Sequence, residues 1–360
     1  MIRKLFIQLI RLGIGNEVDG LDGDVCWPEV LALARNQGLT AIIYDGLNRL
    51  IQEGRLPEKW EIDDVTKTKL IGTVINAYEQ RYKLYSCAIS EMARFYNSRG
   101  YKMMVLKGYA SSRDYPIPEH RPTGDIDIWQ FGKYKECDTA IETEKGIKVD
   151  TSHHHHTVFY WDGFMVENHY DFINVHSNRL NRKLEKVLKD LAADDTHFTE
   201  VLGEVVYLPS PNMGVLFLLS HSLAHFAAEH MSIRQILDYG FFVKKHSIEI
   251  DWRWLDDVLV RFRMKQFFDC INRICVEDLG FDDALFPLTE FGSELKNRVL
   301  SDVLYPEFSG KMPKSILPRI FFKYRRWQAN AWKQKLCYDE NRFLAFWISV
   351  WSHLLKPSSI

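Results

Sequence analysis

Two aspartates interrupt an otherwise apolar run in "RPTGDIDIW", residues 121–129. Side chains alternate between the two faces of a strand, so Asp125 and Asp127 would share one face and Ile126 and Ile128 the other. Neighbouring carboxylates repel each other, and burying either one without a partner is costly. We therefore expect a positive group between them. We also expect Asp127→Asn to be at least as stable as the wild type when no cation is bound.

A third acid follows downstream in "FMVENHYDF", where Glu167, His169 and Asp171 share one face of a predicted strand. If this strand lies beside the first, Glu167 converges with Asp125 and Asp127. Such a cluster is stable around cations, and oxygen ligands indicate Mg²⁺ or Mn²⁺ rather than zinc. Two such ions about 4 Å apart are the usual device for in-line phosphoryl or nucleotidyl transfer. The three carboxylates are therefore the predicted metal ligands and catalytic residues.

Other interpretations of these acids stay open. Asp125 and Asp127 could form a plain strand edge that faces water. Asp162 and Asp171 are rivals to Glu167, which is favoured because it lies mid-strand among apolar residues. His169 would contact the substrate or orient a carboxylate, or else pack as a core histidine.

A predicted phosphate site lies upstream, in "LKGYASS". Gly108 falls between a predicted strand and a short helix, where backbone N–H groups favour anions. Lys107 stands at the same junction and could reach a phosphate. Ser111 and Ser112 could donate hydrogen bonds to it. The sequence thus predicts a nucleotide-binding turn.

Alone, this turn is weak evidence for a nucleotide site, but it belongs to an ordered set of motifs. The set is K-G, then R-x-x-G-D-h-D, where h is a hydrophobic residue, and then a later E. Arg121 and Gly124 are the further members of the predicted nucleotide site. Arg121 would contact a phosphate or, alternatively, pair with Glu119 on the same loop.

The order "VLKGYASSRDYP", "RPTGDIDI" and "VENHYDF" resembles an uncharacterised nucleotidyltransferase-like family of the DNA polymerase β superfamily. That superfamily has a glycine-led turn with a short helix, an Asp-h-Asp strand and a later single carboxylate. The matching positions are Gly108 to Ser112, Asp125 with Asp127, and Glu167. The resemblance covers most of residues 25–255. It implies an Mg²⁺-dependent nucleotidyltransferase with a polymerase-β-like core.

The chain departs from the family pattern at two points. Tyr109 stands where the turn usually has a second glycine or serine, and the gap from Gly108 to Asp125 is longer than in minimal nucleotidyltransferases. We expect Lys107 or Arg121 to compensate in binding the triphosphate.

Further histidines are candidates for the site. His221, His225 and Glu229 fall on one face of a predicted helix, without the glutamate of an HExxH zinc motif. We interpret this helix as lining the cleft or the core, with His225 as a substrate contact. The run 153–156 could bind a metal, but a polar loop entering a strand is favoured, with one histidine leaning over the cleft.

The periodicity predicts an α+β fold in three parts. Residues 1–98 form an N-terminal helical region, 99–180 a nucleotidyltransferase core with a mixed sheet and helices, and 181–360 a C-terminal helical region. In the last part, Arg234 and Asp238 have the i, i+4 spacing of an intrahelical ion pair.

Composition restricts the partners and the compartment. The net charge of −2 gives no overall attraction to nucleic acid, so a nucleic-acid partner is not expected. Six cysteines without a CxxC pair favour a reducing cytoplasm. No run reaches the roughly 18 apolar residues that a membrane span needs, and the aromatic segment 343–355 is too short.

The predicted reaction moves a nucleoside monophosphate from an NTP such as ATP onto an acceptor hydroxyl. The acceptor would be a small molecule or a protein. The alternatives are a protein-modifying nucleotidyltransferase of a toxin–antitoxin type and a non-catalytic NTP-binding or interaction module.

Overall fold

A computed structural model describes residues 2–21, 23–175, 180–228, 230–288, 293–308, 310 and 312–338. Glu229 and the aromatic segment 343–355 lie outside the described residues. The helices are α1 (Ile2–Gly13), α2 (Trp27–Gln37), α3 (Thr40–Gln52), α4 (Asp64–Thr73), α5 (Gln80–Asn97), α6 (Tyr109–Ser112), α7 (Tyr134–Lys145), α8 (Asn181–Ala192), α9 (Pro211–Ala228), α10 (Ile233–His246), α11 (Trp252–Arg261), α12 (Lys265–Arg273), α13 (Ser293–Leu304), α14 (Ile316–Ala329) and α15 (Ala331–Tyr338). The strands are β1 (Met104–Val105), β2 (Ile126–Trp129), β3 (His156–Trp161), β4 (Phe164–His169), β5 (Phe198–Val201) and β6 (Glu204–Tyr207).

Within the described residues, the strands form one mixed sheet in the order β3-β4-β2-β1-β6-β5. The central strand β2 runs parallel to β4 and antiparallel to β1, and β1 runs parallel to β6. Helices precede and follow the sheet. The predicted α+β fold, a mixed sheet flanked by helical regions, is confirmed.

The strands β3 and β4 are joined by a turn whose residue types favour its conformation. The strands are antiparallel, and Asp162 and Gly163 between them both have positive φ, 47° and 80°. Two consecutive residues with positive φ match the right-handed twist of a hairpin, and Asp-Gly is a favoured pair there. The residue types at this turn therefore favour the conformation that the structure has. Before β3, a single antiparallel bridge joins Asp150 to Val158.

The hairpin β5–β6 lies in the region that the sequence analysis predicted to be helical. Its turn, at Leu202 and Gly203, again has positive φ at both residues. The strand β6 pairs with β1, so the sheet continues beyond the predicted limit of the core at residue 180. The strands were missed because neither FTEV in β5 nor EVVY in β6 alternates strictly between apolar and polar residues.

Both faces of the sheet are covered. On one face, Ile126 and Ile128 pack with α5 in a cluster that includes Tyr85 and Tyr96. On the other face, Trp129 belongs to the larger core that contains α9 and α10. The face that carries the two aspartates is therefore turned toward the C-terminal helices. No helix in the described part of the chain has the length and apolarity needed to cross a membrane.

Candidate functional site

Asp127 on β2 and Glu167 on β4 lie side by side. The two strands are parallel neighbours, and these residues are register partners. Partners in register point to the same face of a sheet. Oxygens of both carboxylates and a ring nitrogen of His169 all lie within 4.8 Å of one another. The structure thus brings together the two strand acids, and Asp125 directly precedes β2.

The positive group between the aspartates is Lys107. Its Nζ lies 3.0 Å from Asp127 Oδ1 and 3.6 Å from Asp125 Oδ2. Burial opposes the charge on Lys107, but the attraction of Asp127, Asp125 and Glu167 outweighs it and raises the lysine pKa. The ammonium therefore stays charged and partly neutralises the acids.

His169 is the second cation of the cluster. Its Nδ1 donates to the Asp171 carbonyl oxygen at 3.1 Å, and its Nε2 donates to Asp127 Oδ1 at 3.1 Å. Burial disfavours the charged ring, but the hydrogen bond to Asp127 and the negative charges of Asp127 and Glu167 outweigh burial and raise its pKa to about 9. With both ring nitrogens donating, His169 is an imidazolium at neutral pH.

Glu167 remains an anion over the whole physiological range. Burial would raise its pKa, but the interaction with the charged His169 ring and the charge of Lys107 lower it to about 2. Its Oε2 lies 3.6 Å from His169 Nε2.

The donor set fits a hard divalent cation. Three carboxylates face two cationic side chains, so the cluster keeps a net negative charge. Asp127 Oδ2 is buried and accepts no hydrogen bond from any described residue. An orphaned, buried carboxylate oxygen beside further carboxylates is the ligand type that Mg²⁺ and Mn²⁺ prefer.

The two rival acids lie elsewhere. Asp171 forms an ion pair with Lys189 on α8. Asp162 lies in the β3–β4 turn, at the opposite end of β4 from His169. Of the three candidates for the downstream acid, only Glu167 reaches Asp127.

Four of the predicted nucleotide-binding residues line one small cavity of about 40 Å³ beside Asp125 and Asp127. These four are Lys107, Gly108, Arg121 and Gly124.

Ser111 and Ser112, by contrast, do not line this small cavity. Ser112 Oγ donates to the Tyr109 carbonyl oxygen at 2.7 Å and lies 3.1 Å from the Tyr82 hydroxyl. Ser111 lines a separate cavity beyond α6. The expected phosphate contacts of both hydroxyls are not supported, because a short helix turns successive side chains to different sides.

The turn at Gly108 requires glycine. Its φ is +67°, and a Cβ there would lie 2.4 Å from the Tyr85 hydroxyl oxygen. That hydroxyl donates to the Asp125 carbonyl oxygen at 2.8 Å and so ties α5 to the start of β2. Tyr109 is buried and stacks on Tyr82, with ring centroids 5.9 Å apart. Its side chain therefore points away from the small cavity.

The sequence signature of a family described as "uncharacterised nucleotidyltransferase" matches residues 23–280. The chain belongs to this family. No curated protein and no solved structure matches the chain. The match spans α2 to α12, so it includes the sheet, the carboxylates and the helices that cover them.

Arg121 of this family member has a different partner from either prediction. Its guanidinium donates two hydrogen bonds of 2.8 Å to Asp238 on α10 and a third, of 3.1 Å, to the Pro122 carbonyl oxygen. Both charged side chains are buried. Arg121 therefore joins the loop before β2 to α10, and the alternative pairing with Glu119 is replaced by this contact.

Arg234 is a residue whose position the sequence analysis missed. The predicted ion pair with Asp238 is replaced, because Asp238 accepts its hydrogen bonds from Arg121 and Tyr115. Arg234 instead lines the small cavity with Lys107, and its Nε is buried without a hydrogen-bond partner among the described residues. The i, i+4 spacing favoured a local partner, and only the packing of α10 against the Arg121 loop shows otherwise.

A second cavity, of about 520 Å³, adjoins the carboxylates of this nucleotidyltransferase-family chain. Glu167, His169 and the predicted substrate contact His225 all line it. The His225 ring lies 4.5 Å from that of His221, between centroids. Burial lowers the pKa of His156, also in the wall, to about 4, so this ring is neutral.

Proposed function

We propose that the protein transfers a nucleoside monophosphate from an NTP, such as ATP, onto an acceptor hydroxyl. The observation that carries this proposal is the placement of Asp127 and Glu167 in register on adjacent parallel strands, in a chain of a nucleotidyltransferase family. The pairing puts two anionic ligands on one face, beside a cavity lined with cations.

Asp125, Asp127 and Glu167 would hold the divalent cation, Mg²⁺ or Mn²⁺. When bound, the cation supplies charge neutralisation at the phosphates and at the leaving pyrophosphate. Glu167, with a pKa of about 2, is a weak base. We therefore give Glu167 the role of cation ligand, and not the role of proton acceptor that the sequence analysis also considered.

The phosphates would lie against the small cavity. Lys107 and Arg234 supply positive charge there, and Gly108 and Gly124 let the backbone approach closely. Arg121 contributes by fixing the loop before β2, since Asp238 already binds its guanidinium.

The adjoining cavity of about 520 Å³ favours a small-molecule acceptor, because small-molecule sites commonly have volumes of about 300–1,000 Å³. His225 and His169 are the proposed acceptor contacts in its wall. A protein acceptor, including one of a toxin–antitoxin system, is the alternative within the same reaction class.

One observation favours a second candidate, a non-catalytic NTP-binding module. Lys107 Nζ lies within ion-pair distance of both aspartates, so the protein itself supplies part of the charge that a metal would neutralise.

The decisive experiment measures pyrophosphate release from labelled ATP, GTP, CTP and UTP with Mg²⁺ or Mn²⁺, in the presence of candidate acceptors. We expect Asp127→Asn and Glu167→Gln each to lower turnover at least about 100-fold, since each removes a ligand of the neutralising cation. Asp257→Asn, an exposed change on α11, is the matched control. Metal-dependent NTP binding without pyrophosphate release would instead support the binding module. A nucleotide adduct on a co-incubated protein would identify a protein acceptor.

The phosphate role of Arg234 has its own test. We expect Arg234→Gln to weaken binding of a non-hydrolysable NTP with Mg²⁺ about 10-fold, the effect of losing one charge-assisted hydrogen bond. Calorimetry measures the affinity, and Arg253→Gln, an exposed change on α11, is the control. Equal affinities for wild type and both variants would remove Arg234 from the nucleotide site.

A further inference from the structure

We propose that His155, His156 and His169 bind a divalent transition metal, with Zn²⁺ as the best-fitting ion, in the wall of the large cavity. One ring nitrogen from each histidine lies within 4.8 Å of the other two. The histidine run 153–156 favoured a polar loop when considered as sequence, because no acid at ligand spacing accompanied it. The fold supplies that acid, Glu167, and a third histidine from the neighbouring strand.

The hairpin β3–β4 is what brings the three rings together. His156 and His169 are register partners at the open end of the hairpin. His155 immediately precedes β3. The ring centroids of His155 and His156 are 4.4 Å apart, and those of His156 and His169 are 5.3 Å apart. Regular strand pairing holds His156 and His169, and the His155 carbonyl oxygen accepts hydrogen bonds of 3.0 Å from the Tyr170 and Asp171 N–H groups.

Two of these histidines have an unused ligand atom. Nδ1 of His155 and Nδ1 of His156 are buried and have no hydrogen-bond partner among the described residues. His156 is only 7% exposed, and Glu167 Oε2 lies 3.8 Å from its Nδ1. A buried polar nitrogen is normally satisfied, so two neighbouring unsatisfied ones need an explanation. A metal ion between them provides it.

His169 has the support that a metal-binding histidine usually has. Its Nδ1 donates to the Asp171 carbonyl oxygen at 3.1 Å, which fixes the ring. Binding of Zn²⁺ at Nε2 would displace the proton that this nitrogen donates to Asp127. Glu167 Oε2 lies 3.6 Å from this Nε2 and 3.8 Å from His156 Nδ1, so an anion stands beside the three nitrogens.

This ligand set determines which metal fits. Imidazole nitrogens suit Zn²⁺ and related ions, whereas Mg²⁺ prefers oxygen. A tetrahedral zinc ion holds nitrogen ligands about 3.4 Å apart, so the rings would close by roughly an ångström. The metal would face the large cavity, where an oxygen of the acceptor could reach it.

Metal binding is measured on untagged, EDTA-treated protein, without nucleotide and without turnover, so its outcome is independent of the proposed nucleotidyl transfer. We expect one Zn²⁺ per chain by calorimetry. His155→Gln and His156→Gln should each weaken this binding at least about 10-fold. His197→Gln, which changes an exposed histidine outside the cluster, should leave the affinity unchanged.

A measurement on the wild type decides the matter even if a variant fails to fold. In protein loaded with one equivalent of Zn²⁺, X-ray absorption spectroscopy should show nitrogen ligands and the multiple scattering of coordinated imidazole rings. The proposal is overturned if wild type binds no Zn²⁺, if both cluster variants bind it as tightly as wild type, or if the bound Zn²⁺ has no imidazole ligands.

Discussion

Asp127 is the residue on which the charges of the site converge. Its Oδ1 accepts a hydrogen bond from His169 and lies 3.0 Å from Lys107 Nζ, and its side chain has no exposed surface. The sequence suggested that the dominant interaction of Asp127 is repulsion from Asp125. We infer that attraction to two buried cations dominates, because Lys107 Nζ and His169 Nε2 both lie within 3.1 Å of Asp127 Oδ1.

This changes the expected effect of Asp127→Asn on stability. The substitution would leave Lys107 and His169 without their shared anion, so we now expect it to lower the unfolding free energy in EDTA by about 3 kcal/mol. Urea denaturation measures the difference, with Asp257→Asn as the surface control. An Asp127→Asn protein as stable as wild type would restore the repulsion argument.

His169 predicts a dependence on pH. Its pKa is raised from 6.5 to about 9 in the folded state, so its stabilisation is fully present below pH 6.5 and is lost as the pH rises to about 9. The stability difference between wild type and His169→Gln should therefore shrink by about 3 kcal/mol over that interval. Unfolding curves of both proteins at pH 6.5, 8 and 9 measure this difference, in which titrations common to both cancel. A constant difference would show that His169 is neutral in the folded protein.

At the scale of elements, the contact between the Arg121 loop and α10 holds the site in place. The Arg121–Asp238 pair is buried and bidentate, and Arg121, Asp238 and Arg234 line the same small cavity. The loop leads directly into β2. Movement of α10 would therefore move Arg234 relative to Asp125 and Asp127.

A double-mutant cycle tests this connection. Arg121→Met and Asp238→Asn should each lower the unfolding free energy by about 3–5 kcal/mol, because each leaves one buried charge uncompensated. The double variant should lose less than the sum of the two, by about 2 kcal/mol or more. Chemical denaturation of the four proteins gives the coupling energy. Additive losses would mean that the pair contributes packing rather than charge compensation.

At the scale of the whole molecule, the sheet and its α5 cover form a core of their own. The buried cluster around Ile126 and Ile128 includes residues of α5, which precedes the sheet in the chain. It also includes Val206 of β6, which lies near the end of the sheet's sequence. Residues 99–180 contain neither α5 nor β6, whereas residues 80–207 contain both.

Two fragments test where this core ends. We expect residues 99–180 to lack a cooperative unfolding transition, because the central strand β1 loses its β6 partner and the sheet loses α5. Residues 80–207 should keep a cooperative transition. Thermal unfolding followed by circular dichroism compares them, with the full chain as reference. Cooperative unfolding of the shorter fragment would show that β6 is dispensable.

Short-range patterns in the sequence determined the chemistry on each strand. Alternation alone places Asp125 and Asp127 on one face of the strand and Ile126 and Ile128 on the other face. The same rule places Glu167 and His169 on a shared face of the next strand. The Asp-Gly turn fixed the β3–β4 hairpin, and a glycine was needed at the turn after β1. These features follow from backbone geometry over a few residues, so they could be predicted without the fold.

The tertiary structure decided which groups compensate these charges. Lys107, His169 and Asp127 come from three different strands or turns, and Arg121 finds Asp238 more than a hundred residues away. The same packing turned Ser112 away, directed Arg234 into the small cavity and joined the histidine run to His169. Such pairings depend on which elements touch and on what else is buried there. A local spacing rule does not include information on tertiary contacts or on burial. It therefore predicted ion-pair partners close in the sequence for Arg121 and Arg234.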